Sequence, residues 1–185
     1  MALNQGMSNH SADVIGTLVD SVEPIVSMER DGLVVIALGS AAAEDGPAYL
    51  TLAEAAEGKG VDVHELDGGT VPAVEVETGE DPVVIFGGDT IVGGKQNRIV
   101  NVTIWLTAKR TTKIPVTCLE HGRWDPGVEM RFAAGPRADL RLRTMVNRQV
   151  HAQARAMARA GPAPAEVRYA ADQHVVWDEV AMRHQ

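Results

Sequence analysis

Apolar and polar positions alternate along the middle of the chain and take on helical spacing only near its end. Val61-Asp-Val-His-Glu-Leu66 alternates with period two and predicts a half-buried strand. Gly68-Gly69 turns the chain, and Val71 to Val76 alternates again. After a turn at Gly79 to Pro82, Val83 to Phe86 is a short apolar run of the kind that forms a buried strand. Residues 98–107 are rich in branched and aromatic side chains and predict one continuous strand. A charged turn at Lys109 to Lys113 separates it from a further strand at Ile114 to Leu119.

Upstream, Ser11 is placed to cap a short helix from Ala12 that Pro24 ends. Pro24 to Met28 and Leu33 to Leu38 predict two strands about the Asp31-Gly32 turn, an Asp-Gly hairpin signal. Ser40 to Pro47 is a loop, and Thr51 with Glu54 forms a capping box for a helix that Gly58 to Gly60 stops. Gly122 to Pro136, rich in glycine and proline, reads as a loop. From Leu140 to Ala160 the period changes: Leu142, Met145, Val146, Val150, Ala154 and Met157 recur at helical spacing until Gly161-Pro162. A last helix is expected from near Ala171 through Trp177.

Strands across 24–119 followed by helices predict an α+β fold. The expectation is a largely antiparallel sheet, sandwich- or barrel-like, with the long C-terminal amphipathic helix packed on it. Residues 1–10 are expected to be a disordered tail and 11–185 a single globular domain. Only one short helix interrupts the strands, which disfavours a doubly wound parallel sheet.

Charge changes the picture of partners. A net charge of −8 argues against general nucleic-acid binding, which needs a basic face. Acids dominate from Glu44 to Asp89, while arginines crowd Arg137 to Arg168. That arginine run is a solvated helix face, or is attracted to the chain's own acidic half, or is the seat of an anionic partner. Cys118 is the only cysteine, the start is polar, and no run approaches a membrane span, so a cytoplasmic protein is expected.

Two polar clusters follow apolar runs. Gly93-Gly94 leads into Lys95-Gln96-Asn97-Arg98, and the strand ending at Leu119 leads into Glu120, His121, Arg123 and Trp124. Lys95 and Arg98 are suited to a phosphate or carboxylate, the one as a point charge and the other as a fork. Gln96 and Asn97 are suited to a ribose or base edge. The alternative is a polar turn whose amides satisfy backbone groups and whose Arg98 pairs with Glu120 or Asp89. Glu120 is either a general acid/base or half of a structural Glu–Arg pair. Direct pairing of 98–107 with 114–119 is expected to leave the clusters at opposite ends of the hairpin, and they form one site only if 119–124 folds back or other strands intervene. Cys118 reads as a small buried hydrophobe, and Trp124 and Trp177 as packing anchors. His64, His121, His151 and His174 lack metal-ligand spacing; P-loop, Rossmann and nucleophile-elbow patterns are absent, so neither metal nor cofactor is expected.

The glycine-rich turn into Lys95–Arg98, the segment Pro115 to Trp124, and Asp172-Gln-His-Val-Val-Trp177 together carry a resemblance. From about Gly32 onward the chain resembles the domain family named for its association with ADP-ribosylglycohydrolases and rhodanese-phosphatases. The resemblance implies binding or processing of an ADP-ribose-like or related anionic nucleotide metabolite beside such enzymes. Lys95, Arg98, Gln96, Asn97, Arg123 and Trp124 would then hold the ligand, and Glu120 would act as acid/base. The alternative is a non-enzymatic partner-binding or ligand-sensing domain in which the same motifs are structural. Geometry separates the two: an enzyme needs Glu120 and Arg98 converging on an open pocket, whereas a structural network buries them. Members of that family tend to be longer, so this chain is expected to be a short variant or a truncated product.

Overall fold

The computed structural model describes residues 15–40, 47–66, 71–122 and 131–182. The Ser11 cap, the tail at 1–10, the Gly68-Gly69 turn, and Arg123 and Trp124 lie outside those residues. The chain divides into two compact units, Met1–Pro47 and Ala48–Gln185.

The first unit holds a helix, α1 (15–20), and a hairpin of β1 (Val22–Arg30) and β2 (Leu33–Ser40). Asp31 and Gly32 both adopt positive φ, 53° and 79°. That pair of left-handed residues is what a two-residue turn matching the strand twist requires. Register then runs from Arg30↔Leu33 to Val22↔Ser40, with an irregularity between Pro24 and Val26. Both strands are longer than the apolar runs predicted.

The second unit is built on a closed six-stranded barrel with a three-stranded sheet and helices. Its elements begin with β3 (Leu50–Thr51) and α2 (Leu52–Glu57), whose N-cap Thr51 and Glu54 form the expected capping box. Next come β4 (Val61–His64), β5 (Ala73–Thr78), β6 (Val83–Ile85), β7 (Thr90–Gly93), β8 (Arg98–Val100) and β9 (Ile104–Leu106). They are followed by β10 (Thr111–Cys118), β11 (Arg131–Ala134), α3 (Leu140–Ala160), α4 (Ala165–Arg168) and α5 (Gln173–Ala181). The barrel order is β10-β5-β4-β11-β7-β8, and β3-β6-β9 form the small sheet, where β3 and β6 run parallel. The fold is therefore α+β and mostly antiparallel, with the long C-terminal helix that the periodicity predicts.

Two expectations are corrected. The single strand 98–107 is two: β8 pairs in the barrel and β9 in the small sheet, with residues 101–103 between them. Branched and aromatic residues mark strand conformation but carry no information on which sheet each half joins. The loop expected over Gly122 to Pro136 contains β11, whose pairing with β4 and β7 completes the barrel. A four-residue strand flanked by glycine and proline has too little periodicity to stand out.

Strand alternation divides β8 between two cores. Val100 lies with Val63, Val74, Val76, Ile91, Ile114 and Val116 in the first core. Ile99 faces the other way and packs with Leu142, Val146, Val150 and Val176 from α3 and α5. Arg98, two residues from Val100, shares its parity. Leu142, Val146 and Val150 recur every fourth residue, so one stripe of α3 is buried while most of its arginines stay outside. Asp139 caps this helix, accepting from the Arg141 and Leu142 amides at 2.9 and 3.1 Å.

Candidate functional site

The left-handed glycines Gly93 and Gly94, φ 116° and 51°, turn the chain out of β7 and present Lys95 to Arg98. Asn97 then closes the loop, its side-chain oxygen accepting from the Gly93 amide at 2.9 Å. β8 pairs directly with β10, Arg98 opposite Cys118 and Val100 opposite Val116. Lys95–Arg98 and the described start of the second cluster, Glu120 and His121, therefore lie at the same end of the hairpin, which corrects the expectation of opposite ends. In an antiparallel pair the residue entering the first strand faces the one leaving the second, so direct pairing itself brings 95–98 against 118–120.

Glu120 is committed at this junction. Its carboxylate accepts from the Asn97 amide at 2.9 Å, and its backbone carbonyl accepts from the Gln96 side chain at 2.9 Å. The Leu119 amide in turn donates to the Asn97 carbonyl at 2.9 Å.

Arg98 is fully buried, and its partner is neither Glu120 nor Asp89. Its Nη2 meets the Glu65 carboxylate at 3.1 and 3.4 Å, and both side chains are 0% exposed. Its Nη1 donates to Gln96 Oε1 at 3.0 Å and contacts Cys118 Sγ. Glu65 also accepts from the Lys95 amide at 3.0 Å. The geometry is that of a desolvated ion pair held by additional hydrogen bonds, the arrangement a buried charge requires. Sequence reasoning missed Glu65, although a signal existed. Val61, Val63 and Glu65 share one parity, and a carboxylate on the apolar face of a strand needs a cation.

Cys118 closes this cluster. Burial lifts its thiol from an ordinary value near 9.0 to about 11, outweighing the opposing pull of Arg98. The unfolded thiol loses its proton first as pH rises, so stability carried by the buried thiol is intact below pH 9.0 and declines toward pH 11. At about 1.4 kcal/mol per unit, the loss amounts to about 2–3 kcal/mol. Denaturant melts across that window are expected to fall more steeply for the native chain than for Cys118→Ala; parallel slopes would rule out this contribution.

The Asp172 to Trp177 segment joins the same junction from α5. Asp172 caps the helix, accepting from the His174 amide at 2.9 Å. Gln173 clamps the end of β10: the Cys118 amide donates to its Oε1 at 2.9 Å, and its Nε2 donates to the Cys118 carbonyl. Val176 is buried, and Trp177 meets the rings of His121 and His174 edge-on at 4.4 and 5.4 Å. The described residues of each of the three motifs thus have a structural use, and they converge on the junction of β8 and β10.

A second feature stands beside the Gly87-Gly88 turn. Asp89 accepts from the Phe86 amide at 2.8 Å and meets Arg137 at 3.7 Å. Burial raises its pKa, against the opposing effects of the Phe86 amide, Arg137 and Arg143. Arg137 lies over the Phe86 ring, 5.1 Å from its centroid. Among the described residues no cluster of three histidine, cysteine or acidic side chains is placed to hold a metal. No helix among them is long and apolar enough to cross a membrane.

The class these features define is a small β-barrel domain, strapped by a C-terminal helix and carrying a buried arginine–carboxylate pair. The family model for the ARG and Rhodanese-Phosphatase-superfamily-associated Protein domain matches residues 22–185, and the chain belongs to that family. No curated protein and no solved structure matches it.

Proposed function

We propose that this domain is a non-catalytic, ligand-sensing module acting beside ADP-ribosylglycohydrolase-type enzymes. In this reading it responds to an ADP-ribose-like or related anionic nucleotide metabolite without turning it over. The observation that carries the reading is how Arg98 and Glu120 are used. Arg98 is sealed against Glu65, and the Glu120 carboxylate is held by the Asn97 amide. A general acid/base must reach the proton it moves, and an anion-binding arginine must offer its fork to the ligand. Lys95 through Arg98 and Glu120 thus act as the joint that fixes β8 against β10.

Purified protein incubated with ADP-ribose is expected to give saturable binding by calorimetry and no nucleotide product by chromatography. Glu120→Gln is expected to bind equally well, because the amide oxygen still accepts from Asn97, at a stability cost of about 1 kcal/mol. Product that forms with the native chain and vanishes in a folded Glu120→Gln variant would make Glu120 the acid/base and overturn the reading.

A further inference from the structure

The arginines of α3 divide into those with carboxylate partners and those without. Arg137, just before the helix, meets Asp89, and Arg141 meets Glu179 at 3.0 Å. Arg155 and Arg159 stand on the open surface, where water serves them. Arg143 and Arg148 share a cavity of about 340 Å³ between the Gly87-Gly88 turn and the first half of α3. No acidic residue lines it, although the chain carries a net charge of −8. Among the described residues neither arginine has an ion-pair partner, and Arg143 Nε is buried without an acceptor.

The cavity is built around these side chains. Gly88 has φ 94°, and a Cβ there would fall 2.4 Å from both Cγ and Cδ of Arg143. The glycine therefore does two things: it allows the left-handed turn, and it lets the arginine stem lie flat on the backbone. The other polar groups lining the cavity are mostly occupied. Asn101 donates to the Tyr169 carbonyl at 2.8 Å and accepts from Thr117 at 2.8 Å. Thr144 donates to the Leu140 carbonyl at 2.7 Å. The donors left are Arg143, Arg148 and Asn147, two cations and an amide facing one concavity.

We propose that this cavity is an oxyanion-binding site. Arg143 and Arg148 hold the phosphate or carboxylate group of a small molecule there, and Asn147 donates to it. A guanidinium fork matches either group, and the one carboxylate whose charge Arg143 is seen to influence, Asp89, lies outside the lining. The volume is at the lower end of small-molecule sites, suited to a diphosphate or a compact metabolite head. The proposal rests on the ligand-sensing reading and places its ligand away from the Lys95–Arg98 network.

The test is calorimetric titration at low ionic strength with pyrophosphate, ADP-ribose and citrate. Native protein is compared with Arg148→Gln, an exposed position that leaves the fold intact, and with Arg143→Gln. Saturable binding by at least one probe is expected, weakened about 10- to 100-fold by Arg148→Gln. Preference for pyrophosphate or ADP-ribose over citrate assigns phosphate, and the reverse assigns carboxylate. Absence of saturable binding by all three probes, or equal affinity in native and Arg148→Gln protein, overturns the site. Hydrolysis of a bound probe would instead overturn the non-catalytic reading while leaving the site in place.

Discussion

Arg98→Ala is expected to destabilise the barrel by about 3–5 kcal/mol, the range for removing one partner of a buried ion pair. The cause is the group left behind. Glu65, with its side chain 0% exposed, would keep a carboxylate in a desolvated pocket, met among the described residues by the Lys95 amide alone. Gln96 and Cys118 would lose their arginine contacts as well. Urea and thermal melts of Arg98→Ala, Glu65→Leu and the Arg98→Met/Glu65→Leu double variant separate the contributions. The double variant is expected to recover much of the loss, because replacing both charges removes the desolvation penalty together with the attraction. An Arg98→Ala variant that melts within about 2 °C of the native chain would mean that the pair is not the buried joint described. A fall in stability with ligand binding retained is the pattern expected of a structural arginine.

Gly94→Ala is expected to cost about 2–4 kcal/mol, through strain and overpacking acting together. With φ 51°, the residue sits where a Cβ is disfavoured. The new methyl would also lie 2.4, 2.7 and 2.9 Å from three ring atoms of Phe132. That ring is half-buried and packs against the first core, so moving aside would give up those contacts. Gly122→Ala is the control: Gly122 has φ 78°, and a methyl added there would meet nothing within 4 Å, leaving backbone strain alone. Equal losses for the two variants would remove the Phe132 contact from the account. Partial recovery in Gly94→Ala/Phe132→Leu is expected if the ring is what resists.

Features whose cause is local were legible in the chain. Thr51 and Glu54 are three residues apart and find each other across one helical turn. Asp31-Gly32 specifies its hairpin because two left-handed residues suffice to make that turn. The apolar stripe of α3 declares its buried face before any partner is known, and the glycine-rich turn, the Pro115–Trp124 segment and the Asp172–Trp177 run suffice for the family. The polar clusters were equally visible as residues, but their use was not. Arg98 offers the same fork to a ligand or to a buried carboxylate, and only its surroundings decide between them.

Those surroundings come from afar. Glu65 lies 33 residues from Arg98, directly after β4, and β4 reaches β8 only through the closed circuit of the barrel. The division of 98–107 between two sheets, and the closing of the barrel by β11, likewise depend on which strands wait on either side. The acid-free cavity joins a turn at residues 87–88 to a helix more than fifty residues further on. Caps, turns and periodicity act within a few bonds and are written in neighbouring residues. Burial and ion pairing act through space, so the same arginine-rich and amide-rich stretches acquired their roles only when the sheet closed around them.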